Sequence, residues 1–512
     1  MHAALPLVEA GLKVMMLHGG VQPNPGQPTP PQENFEDIRT SYPEQWQWFL
    51  GQDFSSIPIE GLRGGLGGGM ASGNRSYVTR HTEQELPIIS GSTQIIQSLA
   101  EGGLGAAWGG TCAVLSKTDL ATMGLPAADM PRWYREVCER IGVSGNGEGM
   151  QLPLKLDHHA TATLLCYTKR KQWFDKRSIS VEQPPSAILT QDLGTRKSTT
   201  YSDMDYYADP KRSLYRPEWT LEELRKFANF RDHRGLIANS FIPSEKDVTV
   251  HARTMEDHRP CAFQAKHVVL AAGAINSARI ALASLSISAP IPFLCKPHAF
   301  IACLRLAGLR ERGPKERIST CQLLVTDHTP NIGGMERSCA QLYSYRSFLL
   351  FRLLQSVPLP APEALLALSC FTQGLVIADI RFPSIRTAAC TLALPDPNQP
   401  LGIEVERTPM ERQHHNEALR AMKSALFHLR LLPLKTMILP EGSTSHYAGS
   451  IPIQTSPQGH LSAAQDGSLH QVPHITVADA SVFRALPPLP HTLTIMANAR
   501  RIGSLLAAKL RS

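Results

Sequence analysis

The sequence predicts an α/β fold in which a doubly wound, Rossmann-like domain is interleaved with an α+β domain, and three observations carry that reading. Lys13 to Leu17 is a short apolar strand closed by Gly19 and Gly20. His267 to Ile280 runs from an apolar strand through Ala271, Ala272 and Gly273 into a helix start, the form of a crossover in a parallel sheet. Gln151 to Arg231 and Ile287 to Pro440 lack this character and separate the segments that have it. The expected boundaries are therefore 1–150, 232–286 and 441–512 for the first domain, with 151–231 and 287–440 forming the second. A chain of 512 residues has room for two or more cores at roughly 100 to 200 residues each.

Taken in order, Ala3 to Ala10 reads as a short helix ended by Gly11. With the strand that follows, it makes the second half of a βαβ unit whose first half is absent. Glu9 and Lys13 interrupt this stretch before a secretory core forms. Gln22 to Gln32 holds five prolines in eleven residues and reads as a surface loop or semi-rigid spacer. Gly61 to Gly69 is Gly-dense, but no strand precedes it and no Gly-Lys-Ser/Thr ends it, which favours a flexible loop over a phosphate cradle. In Gly102 to Thr111, small residues around Gly103, Gly109 and Gly110 would let backbone approach a planar ligand, with Trp108 as an apolar wall. A tight structural turn is the equal alternative there. Val248 to Ala252 and Ala262 to Ala265 form a hairpin leading into the strand at Val268. Ala364 to Ala378 reads as a buried helix followed by a strand, while Tyr201 to Tyr207 and Cys390 to Leu394 suggest a sheet carrying a substrate wall.

Composition excludes several classes. The formal charge of +7 is dispersed, and even Lys169-Arg170-Lys171 is too sparse for a nucleic-acid arm or polybasic membrane patch. Ten scattered cysteines, with no Cys-x-x-Cys, fit a reducing cytoplasm better than a disulfide scaffold. No metal site is expected, because His158-His159 and His414-His415 are adjacent pairs that do not face one ligand. No apolar run is long enough to span a bilayer. A peripheral membrane contact through Phe348 to Leu368 stays open as the lesser alternative.

The last forty or so residues are the most specific. Val477-Ala478-Asp479-Ala480-Ser481 and His491-Thr492-Leu493-Thr494-Ile495-Met496-Ala497-Asn498 follow His446-Tyr447-Ala448-Gly449-Ser450. Together with Gly102 to Thr111 and Val268 to Ile280, this set resembles the glucose-methanol-choline (GMC) oxidoreductases, which use FAD to oxidise alcohols. The resemblance implies that the first domain binds FAD and the second a small-molecule alcohol. It implies His446 as general base, a task that suits a neutral imidazole, and His491, 45 residues later, as partner to the substrate hydroxyl or flavin N5. It places Gly103, Trp108, Gly109, Gly110, Ala272 and Gly273 along the cofactor. Asp479 and Ala480 would lie beside its pyrophosphate and ribityl chain, and Asn498 in the final helix near the flavin ring. The electron acceptor, whether oxygen, a quinone or a cytochrome, is left open.

The sequence departs from the family in two ways. The likeness starts inside the first helix, without the strand and Gly-x-Gly-x-x-Gly turn that would seat the pyrophosphate. His18 stands where an acidic residue would hold the adenosine ribose, and a neutral imidazole accepts fewer hydrogen bonds than a carboxylate. Two explanations compete, a reading frame begun at an internal Met and a truncated paralogue without cofactor. The second makes a non-catalytic binding or regulatory protein the alternative function.

Overall fold

The computed structural model describes residues 1–24, 31, 41–44, 46–49, 73–91, 93–201, 209, 211–310, 320–344, 358–386 and 390–511. Gly61 to Gly69, most of the Gln22 to Gln32 connector, the Tyr-rich run beyond Tyr201, and residues 348–357 of the candidate membrane-contact stretch lie outside them. In chain order, the elements that place the site are α1 (Ala4–Glu9), β1 (Val14–His18), α2 (Met130–Ile141), β2 (Ile179–Glu182), β3 (Phe230–Arg234), β4 (Leu236–Pro243), β5 (Val248–Thr254), β6 (Pro260–Ala265), β7 (Val268–Leu270), α3 (Gly273–Ser284), β8 (His298–Leu304), β9 (Leu323–Pro330), β10 (Glu336–Ser344), α4 (Ala361–Phe371), β11 (Leu375–Arg381), α5 (Pro409–His428), β12 (Leu432–Ile438), β13 (Ser468–Leu469), β14 (Val472–Val477) and α6 (Thr492–Arg511).

The parallel pairings expected of a nucleotide-binding domain occur in two pieces. β1 pairs with β3, Val14 opposite Phe230 and His18 opposite Arg234. β14 pairs with β7, Ile475 opposite Val268 and Val477 opposite Leu270, and β13 extends this piece. Among the described residues, no strand pairs with the second edge of β1 or of β7. Both edges face the same large cavity. α1 ends at Gly11, whose φ of +82° is the left-handed conformation that stops a helix. α1 and α6 pack closely at Gly503, where a Cβ would collide with the Ala3 carbonyl. The expected hairpin is present and gains a third strand, in the order β4-β5-β6.

The second region is a six-stranded antiparallel sheet in the order β12-β8-β11-β10-β9-β2. Successive side chains on a strand point to opposite faces. One face therefore carries Ala299, Ile301, Cys303, Val376, Ala378, Ile380, Ala340 and Leu342, packed against Ala418, Met422, Ala425 and Leu426 of α5. That helix starts firmly, with Pro409 in its first turn and a reciprocal Thr408–Glu411 capping box. The other face of β8, β10 and β11 carries His298, Phe300, Gln341, Tyr343, Asp379 and Arg381, and it forms a wall of the cavity. The helix predicted in Ala364 to Ala378 exists as α4, but it is buried only in part: Ala364 is buried, whereas Leu366 is 69% and Phe371 41% exposed. The strand β11 after it enters the core. Among the described residues, no helix is long and apolar enough to cross a membrane.

Candidate active site

The cavity measures about 1690 Å³ and runs from the six-stranded sheet to the free edges of β1 and β7. His446 and His491 stand together at its sheet end, ring centroids 5.2 Å apart and planes inclined at 61°. Short pairings fix His446. Tyr447–Ala448 pairs antiparallel with Leu294–Cys295, Lys296 N donates to the His446 carbonyl at 3.2 Å, and Thr444 Oγ1 donates to Lys296 O at 3.0 Å. Ser445 turns the chain into this pairing at φ +59°. Gly449 follows at φ +69°, where a Cβ would press on Leu294 and the Phe483 carbonyl. His491 immediately precedes α6 and is 2% exposed.

The six-stranded sheet supplies polar partners that local sequence pattern did not single out. Arg381 Nη1 lies 3.4 Å from His446 Nε2, and Arg381 Nη2 donates to Asp379 Oδ2 at 3.0 Å. Asp379 also pairs with His298. With the Gln341 amide turned so that its oxygen faces the guanidinium, that oxygen accepts from Arg381 Nη1 at 3.0 Å and its nitrogen donates to Tyr343 Oη at 2.7 Å. Behind His491, the wholly buried Lys296 donates to Leu489 O at 3.0 Å and lies 3.1 Å from His491 Nδ1.

These groups perturb one another's proton affinity. Burial, followed by the nearby Arg381, His491 and Lys296, pushes the His446 pKa well below the imidazole range. Burial and then Lys296 and Arg381 do the same to His491. Burial, with Arg381 adding to it, drives Lys296 well below an ordinary lysine. Burial alone would protonate Asp379, but Arg381 and His298 outweigh it and hold the carboxylate far below its usual range. Both site histidines are therefore neutral near pH 7.

Of the residues expected along a cofactor, Gly103, Trp108, Gly109, Ala272, Gly273, Asp479 and Ala480 line the same cavity as His446 and His491. Gly103 has φ +61° and nothing within 4 Å of a notional Cβ. Trp108 is held by its Nε1 donating to Tyr215 O at 2.6 Å. Asp479 accepts from Gly273 N at 2.8 Å and Ser277 Oγ at 2.5 Å with Oδ2, and from Ser481 N at 2.8 Å with Oδ1. Its carboxylate thus satisfies donors at the start of α3 and ties the β14 segment to that helix. Ala480 O accepts from Gly449 N at 3.0 Å, joining Asp479's turn to the His446 segment. Gly110 and Asn498 fall outside the lining. Gly110 packs under Leu214, and Asn498, buried in α6, accepts from Arg501 Nε at 3.0 Å.

At the far end, His18 closes β1 with its Nε2 2.6 Å from Asp232 Oδ1. Asp232 on the neighbouring β3 supplies a carboxylate beside the position where the sequence shows an imidazole. Burial opposes its ionisation, but hydrogen bonds from His18 and Arg225 keep its pKa low. Arg225 also bonds Glu101 at 2.8 Å, so the carboxylates here are already engaged.

No protein-family model matches the sequence, and no curated protein matches it. Solved structures do match across nearly their full length. An FAD-dependent oxidoreductase from Chaetomium thermophilum matches 100% of this chain and 97% of its own, at 12% identity and TM-score 0.59. A variant formate oxidase of Aspergillus oryzae RIB40 matches 100% of this chain and 96% of its own, at 12% identity and TM-score 0.62. Pyridoxine 4-oxidase from Mesorbium loti matches 98% of this chain and 97% of its own, at 14% identity and TM-score 0.58. At such identities the likeness establishes a shared fold, a mixed α/β architecture with several sheets.

Proposed function

We propose that this chain is an FAD-dependent oxidoreductase of the GMC type that oxidises a CH–OH group. The observation that carries the reading is the His446–His491 pair, facing a cavity that continues along Gly103, Trp108, Gly109, Ala272, Gly273 and Asp479. A volume of about 1690 Å³ exceeds the roughly 300–1,000 Å³ of ordinary small-molecule pockets and so admits a dinucleotide with a substrate. Several buried polar atoms of lining residues, His446 Nδ1 and Asn276 Oδ1 among them, have no protein partner among the described residues, which suits a site that receives a polar ligand. In this reading, segments 1–150, 232–286 and 441–512 form a doubly wound cofactor domain, and 151–231 and 287–440 form the substrate domain.

Bound FAD would supply the acceptor for the hydride leaving the carbinol carbon. The chain's own residues handle the proton and the oxygen. Arg381 can only donate, so the His446 nitrogen facing it, Nε2, is the unprotonated one in the neutral ring. In the complex the substrate hydroxyl would take the place of Arg381 at that nitrogen and pass its proton to it, and the depressed pKa keeps the ring neutral and able to accept near pH 7. Negative charge developing on the substrate oxygen is stabilised by Arg381 beside it. His491, backed by Lys296, orients the hydroxyl. Enclosure by Tyr343, Phe300 and Trp108 limits water at the reacting carbon.

The test is to add FAD to the purified chain, desalt, and record the flavin spectrum, then to follow anaerobic bleaching by a panel of alcohols. Retained flavin bleached by an alcohol supports the reading; protein that emerges without flavin absorbance overturns it. Reoxidation of the bleached protein by oxygen, by a soluble quinone or by a cytochrome then assigns the electron acceptor.

A further inference from the structure

The end of the cavity between β1 and β7 has the form of a strand-wide slot. Every residue of β1 lines it, and so does every residue of β7. Successive side chains on a strand point to opposite faces, so a cavity that touches them all runs along the strand edge. Neither edge has a strand paired to it among the described residues. The slot also has an apolar roof and floor. Val14 and Val269 pack against Leu7 of α1 and Leu506 of α6. Val268 and Leu270 pack the other way, into the cluster that holds Phe241 of β4 and Val248 of β5. A layer bounded by helices above, a sheet below and two strand edges at the sides matches an extended backbone, whose N–H and C=O groups pair sideways while its side chains fill both faces.

The two edges run the same way. α1 ends at Gly11, close before β1, and packs back along it, with Leu5 and Val8 in one cluster with Val14 and Met16. Its first end, at Ala3, meets Ala478, which follows β14, the parallel partner of β7. The N-terminal ends of β1 and β7 therefore lie together, and there Lys13, Arg231 and Lys266 line the slot. All three are exposed and have no ion-pair partner among the described residues. The two acids that line the cavity are engaged elsewhere, Asp379 by Arg381 and Asp479 by Gly273 and Ser277. We propose that the slot receives an extended apolar segment of a separate polypeptide, about as long as β1, as a strand parallel to both edges, with acidic residues preceding it at Lys13, Arg231 and Lys266. Backbone pairing on both sides supplies affinity, roof and floor select apolar side chains, and the basic mouth sets the direction. The rest of the cavity, from Trp108 and Gly273 to His446, stays open to small molecules, so the inference stands apart from the flavin reading.

The probe is a fluorescein-labelled peptide, Asp-Glu-Asp-Val-Val-Ile-Val-Val-amide, titrated into the full chain and followed by anisotropy. Saturable binding is expected, with slowed hydrogen exchange in the fragments that carry β1 and β7. Replacing the peptide's Ile by Pro removes a ladder donor and should weaken binding roughly tenfold. Replacing its three acids by Lys should weaken binding too, and the double variant Lys13→Glu with Lys266→Glu should recover the Lys-flanked peptide while losing the acidic one. No binding, equal binding of the proline peptide, or binding that leaves exchange in β1 and β7 unchanged overturns the proposal. Full protection of both edges before any peptide is added also overturns it, since they would then be paired within the chain or between copies. Release of bound peptide by FAD gives the slot to the cofactor and overturns the proposal while leaving the flavin reading standing. Peptide binding by protein that never retains FAD supports the strand slot and removes the flavin reading alone.

Discussion

At the sheet end of the cavity, Arg381, Asp379, His298, Gln341 and Tyr343 are linked side chain to side chain. At the opposite end, between β1 and β7, most of the lining is backbone edge and aliphatic surface from Val14, Met15, Leu17, Val269 and Leu506, with His18, Arg231 and His267 beside it. The first region is held by hydrogen bonds and an ion pair between buried side chains. The second is held by close approach, most plainly where α6 meets Ala3 at Gly503. A polar end of this kind fixes the orientation of a reacting group, whereas an apolar end fixes only a space. The two should fail differently when perturbed.

The largest effect is expected at the polar end. His446→Ala should lower kcat by about 10²- to 10⁴-fold, the usual share of a general base, with the circular dichroism spectrum unchanged. A loss under tenfold would move the proton acceptor to another group. Asp379→Asn should cost about 3–5 kcal/mol in denaturant unfolding, because it leaves Arg381 and His298 buried with no carboxylate between them. At the other end, Gly503→Ala should cost about 1–3 kcal/mol by forcing α6 away from α1. Its effect on unfolding, compared with that of Asp379→Asn, measures how unequally the two ends contribute.

Acid should separate the ends as well, with a smaller effect per step. His2 lies buried beside Tyr215, its Nε2 3.0 Å from the phenol oxygen, and burial pushes its pKa down to about 3. Between that value and the ordinary 6.5, the unfolded chain binds a proton that the folded chain refuses. Stability from this group is therefore full above pH 6.5 and is lost as pH falls toward 3, with a slope of up to ~1.4 kcal/mol per pH unit. Asp379 acts in a lower window. Its folded pKa lies below the ordinary 3.8, so its contribution persists above that value and fades beneath it. Unfolding free energy measured against pH should lose only the share of one proton from its upper slope in His2→Gln, since His446 and His491 are depressed as well and keep the rest, while the lower slope is unchanged. A parallel shift of both slopes would mean that the ends are not independent.

The fold was legible where secondary structure announces itself locally. Gly11, Gly273 and the alternation around Val248 to Ala265 mark helix ends, a crossover turn and a hairpin, and each stands where the pattern puts it. His446 and His491 were legible through a resemblance, and the fold brings their rings together. Arg381, Asp379, His298 and Lys296 were not. They come from segments 80 or more residues apart in places, and each is an ordinary polar residue inside an otherwise apolar strand or beside one. Only the register of β8 against β11, with His298 opposite Arg381 and Phe300 opposite Asp379, shows that they share a face. A period of two could have suggested the face of each strand; which strands are neighbours is a long-range fact. α4 was misjudged for a related reason: an apolar helix is assigned to the core by composition, yet Leu366 and Phe371 show that its exposure is decided by what packs above it.

The contact between Ala3 and Gly503 also bears on how the protein is made. It joins residues from opposite ends of the chain, and the wall it forms belongs to the same enclosure that His446 and His491 face. Such a closure is among the longest loops the chain can form, and the entropy of bringing its ends together must be met before the contact can repay it. On a ribosome, α1 emerges long before α6 and has no α6 to rest against until that distant segment is made. Its apolar side, with Leu5, Leu7 and Val8, must stay out of other associations throughout translation. The enclosure is thus completed only once α6 has been made, by docking of segments far apart in the chain.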